Sequence, residues 1–345
     1  MYFDLTPKSK REDFFNYSHE YEELKKAIER KDKIVALIGV RRVGKTSLMK
    51  VVYNELKMPK LWIDGRLVES PKKEIPVMMT DVLKSGQAKI FGGIEGVNFS
   101  AFGVGLGLRI SGVANISAIE KLIENVNHLY VFIDEAQRMN LKALGDLLSY
   151  FYDHFTKISF IISGSEVGLI NELLGAEDSE HPLYGRDVTK IEMKRLDRDK
   201  SIDFLRAGFR QLNVNVKNDE IFAVIDELDG LIGWLTLYGY KRGVAKSEMA
   251  LKETLDTAAQ IAASEFSHFL KKRKSRVVYV AVLRHATGVS WTELKTKVEK
   301  NVGRSINPRL FAFVLRELMR YSFVDKLGDE YKISDPLLFK AALIV

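Results

Sequence analysis

The chain reads as an α/β protein: a parallel sheet covered by helices on both faces, followed by a largely helical second half. Three observations predict this. Short β-branched apolar runs alternate with segments of helical period up to residue 190, the first run ends in a glycine-rich loop that opens a helix, and after Lys190 the strand signal stops. With 345 residues, 46% of them hydrophobic and 29% charged, the chain has the length of two or three domains and the composition of a folded protein. The lack of cysteine excludes disulfides, thiolate metal sites and cysteine nucleophiles. The opening MYFDLTPKSKRED has no apolar core of signal-peptide length, and no later run reaches the roughly 18 apolar residues that cross a bilayer. A cytoplasmic protein without membrane contact is the expectation.

Taken in order, 31–39 (KDKIVALIG) predicts a buried strand, and 46–55 a helix carrying Leu48, Val51 and Val52 on one face. Further strand-length runs are 60–64 (KLWID), 129–134 (LYVFID) and 158–163 (ISFIIS), separated by segments of helical period. Such alternation buries both faces of a parallel sheet. The segment 92–112 departs from it, being glycine-rich with two-residue alternation through Val97, Phe99 and Ala101, and predicts a β-hairpin or flap. Its GxGxG neither ends a buried strand nor opens a helix with lysine, which argues against a phosphate loop there. From 198 to 266 several amphipathic helices are expected, with a glycine turn at 229–233. From Arg276 the order is helix, helix, a longer helix from Pro308 to Tyr321, then two short strands within 323–333 turning at Gly328, which is the winged-helix order. The expected division is an α/β core over 1–195, a helical lid over 196–268 and a winged helix over 269–345.

The +7 net charge sits at one end: from residue 271 onward 16 Lys+Arg face 7 Asp+Glu, and the rest is near neutral. This suits a nucleic-acid or membrane-surface contact, and equally a solvated basic face. The run 271–274 (KKRK) can track a phosphate backbone or serve as a linker.

The chemistry concentrates in a few short motifs. Gly39-Val40-Arg41-Arg42-Val43-Gly44-Lys45-Thr46 is a complete GxxxxGK[ST] between a strand and a helix. Its glycines let successive N–H groups face a phosphate, and the helix adds its positive end. Lys45 then reaches the β and γ phosphates of ATP, and the Thr46 hydroxyl takes Mg²⁺. LYVFIDE delivers Asp134 and Glu135 at the carboxyl end of a strand, where α/β sheets bind ligands. Asp134 is placed to hold Mg²⁺ through its water shell, and Glu135 to act as general base on the attacking water. Ser163 and Ser165 end another strand, either to orient that water and sense the γ-phosphate or to make an ordinary turn. Arg186, in PLYGR, suits charge developing on a transferring phosphoryl group, and equally a surface salt bridge. The six histidines lack metal spacing, so no zinc is expected.

GVRRVGKTSLMK, IDEAQ, IISGSE, PLYGR and DGLIGWLTLYG, in this order over roughly residues 7 to 265, resemble the archaeal ATPase family, AAA+-related P-loop ATPases placed with the STAND NTPases. The resemblance implies an ATPase core, a helical lid and a winged helix. It implies that 39–47, ending in Ser47, binds phosphate and that Asp134 and Glu135 form the Walker B pair. Ser163 or Ser165 would be the sensor, and Arg186 an arginine finger or sensor, acting in cis or, within a homo-oligomer, in trans. Two departures stand out. Tyr17 occupies the place of an arginine in the family's FDREKEL-like opening, and Ile232 the place of a proline in its GGIPGWL-like lid phrase. An adenine can then be packed by Ile232 or by Phe14 and Phe15, with core packing as the alternative role of any single aromatic.

Two functions follow as expectations. One is an ATP-binding, Mg²⁺-dependent ATPase acting as a nucleotide-controlled switch. The other is a nucleotide-regulated DNA-binding protein working through the winged helix, where Arg309, Arg316 and Arg320 line a helix that is also core through Phe311, Val314, Leu315 and Leu318. A protein partner at the winged helix is the alternative to DNA.

Overall fold

Burial on both faces explains why the central strands are continuous apolar runs. In the computed structural model, which describes residues 1–92, 116–175 and 179–345, five parallel strands form the main sheet. They are β1 (Ile34–Ile38), β2 (Lys60–Asp64), β3 (Leu129–Asp134), β4 (Ile158–Gly164) and β5 (Thr189–Glu192), in the order β2-β3-β4-β1-β5. β1, β3 and β4 are buried along their whole length. Apart from Gly92, the glycine-rich hairpin expected over 92–112 lies outside the described residues.

Side-chain alternation sorts the helices onto two faces. Val35, Leu37, Phe132 and Ile161 pack against α1 (Ser18–Arg30) and α2 (Lys45–Glu55), in one apolar layer with Leu24, Met49 and Val52. Ala36, Ile38, Val131 and Ile162 face a second layer built by α3 (Pro71–Gly92), α4 (Ile116–Ile123), α5 (Leu141–His154) and α6 (Val167–Leu173), with Met79, Ile119, Leu148 and Ile170 at its centre. The expectation that strands stop at Lys190 is corrected by β5, which pairs with β1 from Val35↔Thr189 to Ile38↔Glu192. Only Ile191 of its four residues is buried, so TKIE carries no apolar run to read.

The second half contains α7 (Arg198–Gln211), α8 (Asn218–Leu228), α9 (Ile232–Gly239), which runs into a π-helical turn (Tyr240–Val244), and α10 (Ala250–Leu270). Then come α11 (Arg276–His285), β6 (Thr287–Ser290), α12 (Trp291–Val302), α13 (Pro308–Arg320), β7 (Val324–Leu327), β8 (Glu330–Ile333) and α14 (Leu337–Ile344). Asn307 caps α13 by accepting the Arg309 N–H at 2.8 Å, with Pro308 pre-set for the first turn. The β7–β8 hairpin turns at Gly328, whose φ of +61° suits glycine. β6 joins it in a three-stranded antiparallel sheet of order β6-β8-β7. β6 and α14 are additions to the expected order: one has a single buried residue, Val289, and the other is a nearly all-apolar octapeptide without a polar face.

The N-terminal segment bridges the two halves. Phe3 is fully buried, with its ring so close to Gly208 and Gly239 that a Cβ at either would lie 2.2 or 2.3 Å from it. Five residues on, the Lys8 N–H donates to Ser47 Oγ at 3.0 Å. None of the described helices is long and apolar enough to cross a membrane.

Candidate nucleotide site

The sheet order places the carboxyl ends of β1, β4 and β3 side by side, so residues following each strand meet in one crevice. After β1, Gly39 has φ +150° and lies so near the chain after β5 that a Cβ would be 2.3 Å from the Met193 carbonyl oxygen. Gly44, at φ +99°, starts α2. Arg42 is also left-handed, at φ +69°, and its carbonyl accepts the Gly233 N–H at 2.9 Å, which ties the loop to α9. Inside the loop Lys45 Nζ donates to the Gly39 and Val40 carbonyls, each at 2.7 Å. Burial pulls its ammonium down to about 8, against the attraction of Glu135 and Asp134. No carboxylate lies within ion-pair distance of Lys45 among the described residues, so a cation is held ready for an anion.

Asp134 ends β3 almost fully buried, and burial raises its carboxyl above the usual range while hydrogen bonds from Ser163 and Thr46 oppose the rise. Thr46 Oγ1 donates to Asp134 Oδ2 at 2.9 Å, and Ser163 donates to Oδ1. Glu135 is left-handed, at φ +54°, with its N–H donating to Ser163 Oγ at 3.3 Å. That turn needs Gly65 after β2, where a Cβ would lie 2.4 Å from the Glu135 carbonyl oxygen. The Glu135 carboxylate accepts from Gln137 Nε2 at 2.6 Å and from Ser165 Oγ at 3.4 Å. Among the described residues no three His, Asp or Glu converge on a metal position. One hydroxyl and one carboxylate side by side instead fit Mg²⁺, which takes few protein oxygens and completes its shell with water and phosphate.

A cavity of about 380 Å³ adjoins these groups. Its lining combines Phe14, Phe15, Phe204, Ile232 and Thr236 with the loop residues Gly44, Lys45, Thr46 and Ser47. The first group suits a planar base and the second a phosphate chain. Sharing Thr46 and Glu135 with it, a more open space of about 700 Å³ is lined by Arg41, Arg42, Arg66, Arg138, Asp134, Glu135, Ser165 and Glu265. Val43 is buried beneath the loop. Tyr17 stays out of the wall: its hydroxyl donates to the Lys194 carbonyl at 2.8 Å and its ring stacks on Phe14. Sequence reasoning missed Phe204, Thr236, Arg66, Arg138, Glu166 and Glu265, which belong to no spaced motif.

Arg186 is not brought to this cavity. Its guanidinium pairs with Asp153 at 2.6 and 3.0 Å, beside Tyr152, whose carbonyl accepts from Lys33 Nζ just before β1. That is the amino end of the sheet, opposite the phosphate loop. The alternative reading of PLYGR, a surface salt bridge, describes what is seen, and a role in this chain's own cavity is corrected.

Both arginines of the loop reach carboxylates elsewhere. Arg41 donates to Glu166 Oε1 at 2.5 Å and to the Tyr321 carbonyl at 3.2 Å. Arg42 donates to Glu265 Oε1 at 2.7 Å, lies 4.0 Å over the Trp234 ring and comes within 3.6 Å of Asp335. Asp335 in turn accepts from Trp234 Nε1 at 2.9 Å.

A glycine-rich loop after the first strand, with an Asp-Glu pair ending the strand two places away in a parallel sheet, defines a P-loop nucleotide-binding protein. The chain belongs to the family of ATPase domains predominantly from Archaea, whose sequence model matches residues 14–236. It is similar over 99% of its length to the whole of the Walker-type ATPase of Pyrococcus abyssi, with 29% identity and a TM-score of 0.80. The Holliday junction branch migration motor RuvB of Thermotoga maritima matches with 13% identity over 96% of each chain and a TM-score of 0.46. No curated protein matches the chain. Family membership places the chain among ATP-binding P-loop ATPases, with nucleotide and typically Mg²⁺ as ligands.

Proposed function

We propose that the protein hydrolyses ATP in a Mg²⁺-dependent reaction and that the bound nucleotide sets the position of its C-terminal helices, making it a molecular switch. The observation that carries this reading is the pair Arg41 and Arg42. They belong to the loop that wraps phosphate, yet their guanidinium groups are held by Glu166 after β4, Glu265 on α10, the Tyr321 carbonyl after α13 and Asp335 before α14. A phosphate arriving in the loop competes with those carboxylates for the same cations, so its charge is felt by the C-terminal helices.

Within this reading, Phe14, Phe15 and Ile232 pack the adenine, and Gly39 to Ser47 wrap the phosphates with Lys45 as anchor. Thr46 and Asp134 hold Mg²⁺, which when bound neutralises phosphate charge. Glu135 takes the proton of the attacking water, with Ser163 and Ser165 fixing its surroundings. Residues 1–195, 196–268 and 269–345 serve as ATPase core, lid and winged helix. Arg186, at the other end of the sheet, serves a neighbouring subunit in a homo-oligomer. Replacing Glu135 by Gln is expected to keep nucleotide binding and to lower turnover by about 10² to 10⁴-fold. Unchanged turnover removes Glu135 as the base. Lys45→Ala is expected to abolish tight nucleotide binding, and retained affinity in a titration removes the pocket itself.

A second reading, DNA binding through α13, is favoured by one observation. Arg309, Phe313 and Arg316 stand exposed at i, i+4 and i+7 of that helix, and neither arginine has an ion-pair partner among the described residues. Arg320, further along the same stripe, is pinned to Glu172 on α6 at 2.6 Å. Salt-sensitive binding of the intact protein to duplex DNA, weakened by Arg309→Ala and Arg316→Ala, supports this reading. No binding at low salt removes it and leaves a protein partner for the winged helix.

A further inference from the structure

We infer that Gln137 is a positioning residue for Glu135: its side-chain amide holds one carboxylate oxygen, so that the other faces the cavity to receive a proton from water. This rests on the reading of Glu135 as the base. Gln137 lies in the single 3₁₀ turn Ala136–Arg138 that follows β3. Its Nε2 donates to Glu135 Oε2 at 2.6 Å and to Ser165 Oγ at 3.0 Å, and Ser165 Oγ approaches the same Oε2 at 3.4 Å. Glu135 Oε1 accepts no hydrogen bond among the described residues, and Glu135 lines both the cavity and the open space beside it.

Three features show that the amide is there for the carboxylate. Gln137 is 7% exposed, and its own Oε1 is buried without a hydrogen-bond partner. An orphaned buried acceptor costs free energy, and a residue serving only the core would have both ends of its amide satisfied or be apolar. Turning the amide over would set its carbonyl oxygen against the Glu135 carboxylate, acceptor to acceptor. The charge-assisted bond therefore fixes the orientation. Second, room for the amide is made by Gly164 at the end of β4, where a Cβ would lie 2.8 Å from Gln137 Oε1 and 2.3 Å from Ile170. Third, the Glu135 backbone is independently fixed, left-handed and bonded to Ser163. With main chain and one oxygen both held, the carboxylate keeps a single direction, and a base acts only within hydrogen-bond reach of the proton it takes.

The test uses the full chain and the near-isosteric Gln137→Met, which removes the donor. Turnover at saturating ATP is expected to fall about 10- to 100-fold while nucleotide affinity stays within about twofold. In a Glu135→Gln background the same substitution is expected to cost nothing more, because Gln137 acts through Glu135. Gln137→Asn, whose amide is one carbon short, is expected to fall between and serves if the Met variant does not fold. Full turnover in Gln137→Met, an equal loss in the Glu135→Gln background or a parallel loss of affinity overturns the inference. A parent chain without turnover overturns the reading of Glu135 instead. The contact is then decided by NMR: the Gln137 side-chain amide signal is expected to shift on Glu135→Gln, and an unmoved signal overturns it.

Discussion

His128 is fully buried between β3 and α4, with Nε2 2.8 Å from Ser159 Oγ and its ring 4.5 Å from that of Tyr130. Burial, helped by the charge of Lys31, pulls its imidazole down to about 4. In the unfolded chain histidine titrates near 6.5, so between pH 6.5 and 4 the unfolded state holds the extra proton and stability falls as pH drops through that window. The loss is at most roughly 3 kcal/mol. Urea unfolding from pH 7 to pH 4 is expected to show a shallower decline for His128→Asn than for the parent, and equal declines would assign the acid sensitivity to other groups. At this scale the sequence shows what a fixed chemistry demands. Lys45, Thr46, Asp134 and Glu135, which the structure brings together, are legible because they stand at set positions along a strand–loop–helix unit. Gln137 is not, since its partner depends on how the turn after β3 folds back. Arg186 misleads because an exposed loop arginine satisfies a phosphoryl group and a nearby Asp153 equally well.

Elements divide along the same line. The strands of 31–39, 60–64, 129–134 and 158–163 are legible because strands buried on both faces are continuous apolar runs, whereas β5 and β6 each bury one side chain and leave no pattern. The helices of the second half show their period, but not what they lean on. α6 meets α13 so closely that a Cβ on Gly168 would lie 2.5 Å from Arg320 Cα, and the Val167 N–H donates to Ser322 Oγ at 2.9 Å. Neither helix could move aside without breaking the Arg320–Glu172 pair. Gly168→Ala is therefore expected to destabilise the protein by about 1–3 kcal/mol, read as a lower melting temperature, with faster protease cutting after α13. An unchanged melting temperature would mean that the two helices have slack.

For the whole molecule the loop arginines set the terms. Arg42 is a non-glycine residue held at positive φ, a conformation that persists where surroundings over-determine it, and here they are Gly233, Trp234, Glu265 and Asp335. If these carboxylates compete with phosphate, Glu265→Gln combined with Asp335→Asn tightens nucleotide binding, by about fivefold or more. Equal affinities in parent and variant, measured by titration, would show that cavity and C-terminal helices are uncoupled. None of these contacts is legible in the sequence, because the partners lie more than a hundred positions apart and are joined only by the fold. The N-terminal segment carries a lesson for handling the protein. Tyr2, Leu5 and Thr6 belong to the cavity wall and Phe3 clamps them there, so a purification tag or dye fused ahead of Met1 would be carried beside the candidate nucleotide cavity. Val345 is exposed beyond α14 and lines neither the cavity nor the open space beside it, so a label there leaves both untouched.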